Sequence, residues 1–155
     1  MGQQQLLLIV LGVIIVGIAI AVGISMFKSN AQSSNRDQVI NDLNNLAAKA
    51  QQYFRKPTSM AGGGQNFGGF SMSTSDSANA NGMYWATTTR PTAYTAYPGD
   101  MGGVLGTVNV NPPLDSIYIV GIGTELGNVP GSSNNQKVEA YITVTPNGAT
   151  TTVLN

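Results

Sequence analysis

Near its N-terminus the chain is apolar on every side. From Leu6 to Met26 it reads LLLIVLGVIIVGIAIAVGISM, with no charged residue and one hydroxyl group. At a rise of about 1.5 Å per residue this stretch forms a helix of roughly 32 Å, which is long enough to cross the hydrocarbon core of a bilayer. Because such a helix is unfavourable in water, the pattern predicts that it lies in a membrane or in a bundle of similar helices.

A second pattern begins near residue 35 and predicts an amphipathic helix that ends before Pro57. Asn35 or Asp37 could cap its start, and the polar residues 29–34 either continue the helix or interrupt it. We expect one long helix over about residues 3–55, apolar all round in its first half and amphipathic in its second. The residues expected to pack on the rest of the chain share one helical face: Val39, Ile40, Leu43, Leu46, Ala47, Ala50, Tyr53 and Phe54.

The remainder of the chain alternates strand-favouring runs with turn signals. Residues 58–82 are rich in glycine and predict a loop, in which Phe67, Phe70 and Met72 could contact a core. Beyond the loop, strands are predicted at 83–89, 93–96, 104–110, 116–122, 137–145 and 150–154. The clearest signal is a terminal hairpin around the Pro-Asn-Gly turn at 146–148, in which apolar and polar positions alternate and predict one buried and one exposed face.

These patterns together predict an α+β fold with three parts. Residues 1–34 form the apolar half of the helix, which serves polymerisation or membrane spanning. Residues 35–56 form the amphipathic half, and residues 57–155 form a glycine-rich loop and a β-rich globular head. The amphipathic half packs on a small antiparallel sheet, so the apolar half has no partner within its own chain.

Composition excludes several classes of function. The chain has 155 residues, with seven basic and seven acidic side chains, so no basic patch is available for nucleic acid. It contains neither cysteine nor histidine, which removes disulfides, thiolate ligands and imidazole chemistry. We therefore expect no enzyme, no catalytic residue, no metal site and no cofactor. The scattered carboxylates Asp76, Asp100, Asp115 and Glu125 would have to converge to bind calcium.

We expect the apolar stretch to be retained rather than cleaved as a signal peptide. A secretory signal carries basic residues before its apolar core, whereas residues 1–5 read MGQQQ. The first positive side chain is Lys28, and Asp37 and Asp42 follow soon after it. One lysine is too little to fix the orientation in the membrane, which stays open.

The segment from Gln5 to Ile15, QLLLIVLGVII, with Gly17 and Gly23 after it, resembles the N-terminal segment of type IV pilins and of the related pseudopilins. The resemblance covers the apolar segment by residue type and the rest of the chain by architecture. It implies a major pilin-like structural subunit whose apolar helices bundle as the core of an extracellular filament. It also implies a single-pass state in the inner membrane before assembly, identical subunits as partners, and assembly machinery driven by an ATPase.

The same resemblance assigns roles to individual residues. Gly2 and Gln3 mark a possible processing site, and Gly12, Gly17 and Gly23 serve either helix packing or helix flexibility. The family's glutamate at the fifth position is replaced by Gln5, or by Leu7 if the chain begins at Gln3. The expected filament core comprises Leu6, Leu7, Leu8, Ile9, Val10, Leu11, Val13, Ile14, Ile15, Val16, Ile18, Ile20, Val22 and Ile24.

Two other functions remain open. A pseudopilin of a type II-like secretion system would use the same helix in a short periplasmic piston. A membrane-anchored binding module would use its β-rich head, where Tyr84, Trp85, Tyr94 and Tyr97 either form a surface for carbohydrate or cell contact or pack within the sheet. A ligand-binding head would keep its affinity without residues 1–30.

Overall fold

A computed structural model describes residues 2–91, 115–126 and 137–154. Helix α1 runs without interruption over Gly2–Arg55. A short 3-10 helix at Thr58–Met60 and the short helix α2 at Thr74–Ser77 follow it. The strands are β1 (Gly82–Thr87), β2 (Ile117–Leu126), β3 (Lys137–Thr145) and β4 (Gly148–Val153). The predicted α+β arrangement, a long N-terminal helix packed on a small antiparallel sheet, is confirmed.

The described strands form one sheet in the order β1-β2-β3-β4, and each strand is antiparallel to its neighbour. Strand β3 has the predicted bounds. Strand β1 is shorter than predicted, β2 extends further, to Leu126, and β4 already begins at Gly148, which the sequence placed in the turn. The predicted strands at 93–96 and 104–110 lie outside the described residues.

The core lies between the second half of α1 and one face of the sheet. The helix contributes Val39, Leu43, Leu46, Ala47 and Ala50, and strands β2 and β3 contribute Ile117, Ile119, Ala140, Ile142 and Val144. Burial of each large aliphatic side chain stabilises the fold by about 1.5–3 kcal/mol. Gly121 allows the close approach, because a Cβ atom there would lie 2.9 Å from the ring of Tyr84 and 3.0 Å from Val39.

The predicted loop at 58–82 is packed more closely than its glycine content suggests. Phe67, Phe70 and Met72 are buried, and the ring of Phe67 lies 4.7 Å from that of Phe54, measured between centroids. The segment also contains α2, whose N-cap Ser73 accepts a hydrogen bond from the backbone N–H of Asp76. A helix of four residues has no apolar period, so periodicity alone did not reveal it.

The prediction of a half-buried terminal hairpin is wrong for residues 138–142. Glu139 and Tyr141 lie on the sheet face opposite the helix, yet they are as deeply buried as Val138, Ala140 and Ile142. Their cross-strand neighbours Val120 and Ile122 are buried as well. Alternation shows which side chains share a face, but it does not show whether that face is covered.

Candidate functional site: the exposed apolar half of helix α1

The first half of α1 exposes all of its large apolar side chains. Their exposed fractions range from 48% at Leu11 to 77% at Phe27. The most apolar 18-residue window of the helix has a mean hydropathy of 3.2, and none of it is buried by the chain. The helix is therefore long and apolar enough to span a membrane. The single chain leaves this surface open, and we call the large apolar side chains of residues 6–27 the apolar surface.

Every residue assigned to the filament core lies on the apolar surface, at all angles around the helix axis: Leu6, Leu7, Leu8, Ile9, Val10, Leu11, Val13, Ile14, Ile15, Val16, Ile18, Ile20, Val22 and Ile24. Gly2 and Gln3 lie in the exposed first turn. A Cβ atom added at Gly12, Gly17 or Gly23 would meet no atom of the described residues within 4 Å, apart from the backbone of its own helix. A packing role for these glycines therefore requires a second molecule.

Residues 29–34, which the sequence left open, continue the helix without a break. Asn35 therefore does not cap a helix start. Its side chain instead forms hydrogen bonds with residues of the head. Its Nδ2 donates to the carbonyl oxygen of Asn81 at 2.9 Å and to Oγ1 of Thr124 at 3.4 Å. Its Oδ1 accepts from the backbone N–H of Glu125 at 3.3 Å. Asn35 thus joins the helix to β2 and to the turn before β1.

About two helical turns further along α1, Asp42 makes a second polar joint between the helix and the head. Its Oδ2 accepts from the hydroxyl of Tyr84 at 2.7 Å and from Nδ2 of Asn79 and of Asn81 at 2.9 Å each. Burial raises the pKa of Asp42, but these three hydrogen bonds outweigh that effect and hold the pKa below its ordinary value. Burial, and then the bond to Asp42, raises the pKa of Tyr84. The apolar pattern of α1 gave no indication of either polar joint.

A polar cleft of about 170 Å³ adjoins this joint. Lys49 Nζ lies 2.6 Å from Oδ1 of Asp76 across it, and this hydrogen bond lowers the pKa of Asp76. The lysine side chain is 54% exposed, so the pair contributes little to stability. Among residues 2–91, 115–126 and 137–154 no group of three or more metal-binding side chains converges. The Lys49–Asp76 pair connects α1 to α2 across the cleft.

The structure also places the residues expected to pack on the head. Val39, Leu43, Leu46 and Ala50 are buried in the core, and the half-buried Tyr53 and Phe54 pack against it. Ile40 is half-buried and stands outside this cluster.

Of the aromatic residues considered for a binding surface, Tyr84 is fully buried and Trp85 is half-buried. Tyr94 and Tyr97 lie outside the described residues. Tyr84 therefore packs within the fold and is not part of an exposed aromatic surface. Comparisons of this chain with models of known protein families, with curated proteins and with solved structures found no match.

Proposed function

We propose that this chain is the structural subunit of an extracellular type IV pilus-like filament, which polymerises through the apolar half of α1. The observation that carries the proposal is the apolar surface, which is exposed on every side of a helix that continues without interruption into the folded head. Before assembly the subunit is a single-pass protein of the inner membrane. After assembly the helices of identical subunits replace the lipid around one another.

The energetics favour both states over water. Each large aliphatic side chain moved from water into a packed core contributes about 1.5–3 kcal/mol, so many such residues per subunit outweigh the entropic cost of association. Compared with lipid the gain is small, because lipid chains are equally apolar. Transfer from the membrane to the filament therefore calls for assembly machinery that supplies work.

The two polar joints support the proposal mechanically. Asn35 and Asp42 bind the head to the same continuous helix that carries the apolar surface. Contacts between helices consequently set the positions of the heads. If each subunit uses two different faces for its two neighbours, the contact does not close on itself and produces an open helical polymer.

The test is to shear surface material from cells that express the full chain, to image it by electron microscopy, and to identify its protein by mass spectrometry. We expect thin fibres in which this chain is the main component. Chain found exclusively in the membrane fraction, with no fibres after overexpression, would reject the proposal. Short periplasmic assemblies of low abundance, together with a defect in protein export, would favour the pseudopilin alternative.

A further inference from the structure

The chain contains two Asn-Gly dipeptides, Asn81-Gly82 and Asn147-Gly148, and the structure holds them in opposite ways. We propose that Asn147 is a site of spontaneous deamidation, at which the side-chain amide becomes a carboxylate, whereas the hydrogen bonds around Asn81 protect that residue from the same reaction. The inference concerns the head alone, so it does not depend on whether the chain assembles into a filament.

The reaction needs no group other than the dipeptide itself and water. The backbone nitrogen of Gly148 attacks Cγ of Asn147, the Cγ–Nδ2 bond breaks, and the side-chain nitrogen leaves as ammonia with the proton that the Gly148 nitrogen loses. Water then opens the cyclic imide at one of its two carbonyl carbons, which produces aspartate or isoaspartate. Glycine favours the attack, because it has no Cβ atom to obstruct the approach. The side-chain amide has to be free to turn toward the nitrogen, and the nitrogen has to leave its own hydrogen bond.

Asn147 meets these requirements in the turn between β3 and β4. Its side chain is exposed, and within the described part of the chain no hydrogen bond holds its amide. A Cβ atom added at Gly148 would meet nothing within 4 Å, so the surroundings of this glycine are open. Thr145 and Gly148 form the last pair of the β3–β4 ladder, and the terminal pair of a hairpin opens at little cost. The attacking nitrogen and the amide are therefore both available in the folded chain.

Asn81 does not meet the same requirements, although the dipeptide is identical. Its Nδ2 donates to Oδ2 of Asp42 at 2.9 Å, which ties the side-chain amide to α1. Gly82 N donates to Oδ1 of Asn79 at 3.0 Å, and Gly82 itself is buried. A Cβ atom added at Gly82 would collide with the carbonyl oxygen of Ile122, so the backbone is closely packed there. The reaction at Asn81 therefore requires the polar joint between α1 and the head to open first.

Conversion of Asn147 changes both the charge and the geometry of the head. It adds a carboxylate to a chain in which seven basic and seven acidic side chains balance. The isoaspartate product also routes the backbone through the side-chain CH2 group, which lengthens the turn next to Thr145. Thr145 Oγ1 donates to the carbonyl oxygen of Gly148 at 2.8 Å, and Nε2 of Gln51 donates to the carbonyl oxygen of Thr145 at 3.2 Å. The modified turn therefore lies beside a contact between the terminal hairpin and α1.

The test follows both sites in the same full-length chain in detergent, incubated in a mildly alkaline buffer made with water that carries heavy oxygen. Peptide mapping by mass spectrometry then counts only the aspartate and isoaspartate that form during the incubation. In the folded chain we expect Asn147 to react at least about tenfold faster than Asn81. Tenfold corresponds to about 1.4 kcal/mol, which is the size of one hydrogen bond to a charged group such as Asp42. In guanidinium chloride, where these hydrogen bonds are lost, the two sites should react at similar rates.

Gly148→Ala isolates the route of the reaction. The structure has space for the added methyl group, and the backbone at this glycine is not left-handed, so we expect the variant to fold. The reaction at Asn147 should slow by about tenfold or more, because the methyl group obstructs the approach of the nitrogen, while the rate at Asn81 stays unchanged. If the variant does not fold, the comparison of the folded and unfolded wild-type chain decides alone.

The results that would overturn the inference differ from one another. Equal rates at the two sites in the folded chain would show that the hydrogen bonds of Asn81 give no protection. Absence of reaction at Asn147 in the folded chain would show that the turn protects its amide. A folded Gly148→Ala variant that reacts as fast as the wild-type chain would exclude attack by the Gly148 nitrogen. Fast reaction at Asn147 and slow reaction at Asn81, with similar rates after unfolding, support the inference whether or not fibres form.

Discussion

Replacing Ile14 by aspartate tests the filament proposal at the middle of the apolar surface. Ile14 is 53% exposed and lies outside the core between α1 and the sheet, so the change leaves that core intact. In the membrane a charged side chain at the centre of a helix costs about 2.5–3.5 kcal/mol, and each remaining Leu, Ile or Val favours insertion by roughly 0.3–0.6 kcal/mol. We therefore expect the variant to remain folded and membrane-inserted.

Assembly has a larger penalty. In lipid the carboxylate is relieved by local thinning of the bilayer and by water that reaches it, whereas the packed filament core holds it without a partner at a cost of several kcal/mol. A difference of about 4 kcal/mol per subunit between the two environments corresponds to a factor of roughly a thousand in the association constant. Because every subunit in the filament carries the change, we expect fibres to disappear.

The assay combines membrane fractionation with electron microscopy of sheared material. Phe27→Asp is the matched control, since it introduces the same charge at the end of the apolar surface, where the side chain is 77% exposed and adjoins Lys28. We expect the control to form fibres. Fibres of the Ile14→Asp variant at wild-type abundance would refute the reasoning, because they would place residue 14 outside the filament core.

Three further predictions concern the head, each measured on the full chain in detergent by thermal unfolding followed with near-ultraviolet circular dichroism. Leu43→Ala should destabilise the fold by about 2–5 kcal/mol through the cavity it leaves, and Ile40→Ala should cost clearly less; equal effects would contradict the packing. Asp42 has a pKa below its ordinary value of 3.8, so its contribution is complete above that pH and is lost as the pH falls. The melting temperature should decline below about pH 4, and Asp42→Asn should lower the plateau and flatten the decline. Gly123→Ala should destabilise the head, because its Cβ atom would collide with Oδ1 of Asn35, while an unchanged melting temperature would show that this joint adapts freely.

Hydrophobic periodicity determined the helical part of this protein. The apolar run has no polar face, so it is not an amphipathic helix. The apolar stripe that begins at Val39 follows the helical repeat closely. The sequence therefore predicted a helix nearly to the residue, from about 3 to 55, against the observed Gly2–Arg55. The same reasoning predicted β3 and the turn after it, because Pro146 and Asn147 interrupt a strict alternation.

Which surfaces remain exposed depended on the tertiary structure. Glu139 and Tyr141 occupy positions that alternation marks as polar, but both are buried on the face of the sheet opposite α1. The edge position of β4 is likewise a property of strand order. Local sequence contains no record of strand order, because neighbours in a sheet can be far apart along the chain.

The polar joints show the same limit most clearly. Asn35 and Asp42 are ordinary helix-surface residues by sequence, and their partners Glu125 and Tyr84 lie 90 and 42 positions away. The sequence by itself determined that this chain has a long helix with an apolar first half, followed by a β-rich head. Only the tertiary structure decided how the head is fixed to the helix, because these hydrogen bonds join residues that are far apart in the sequence and lie close together only in the packed fold.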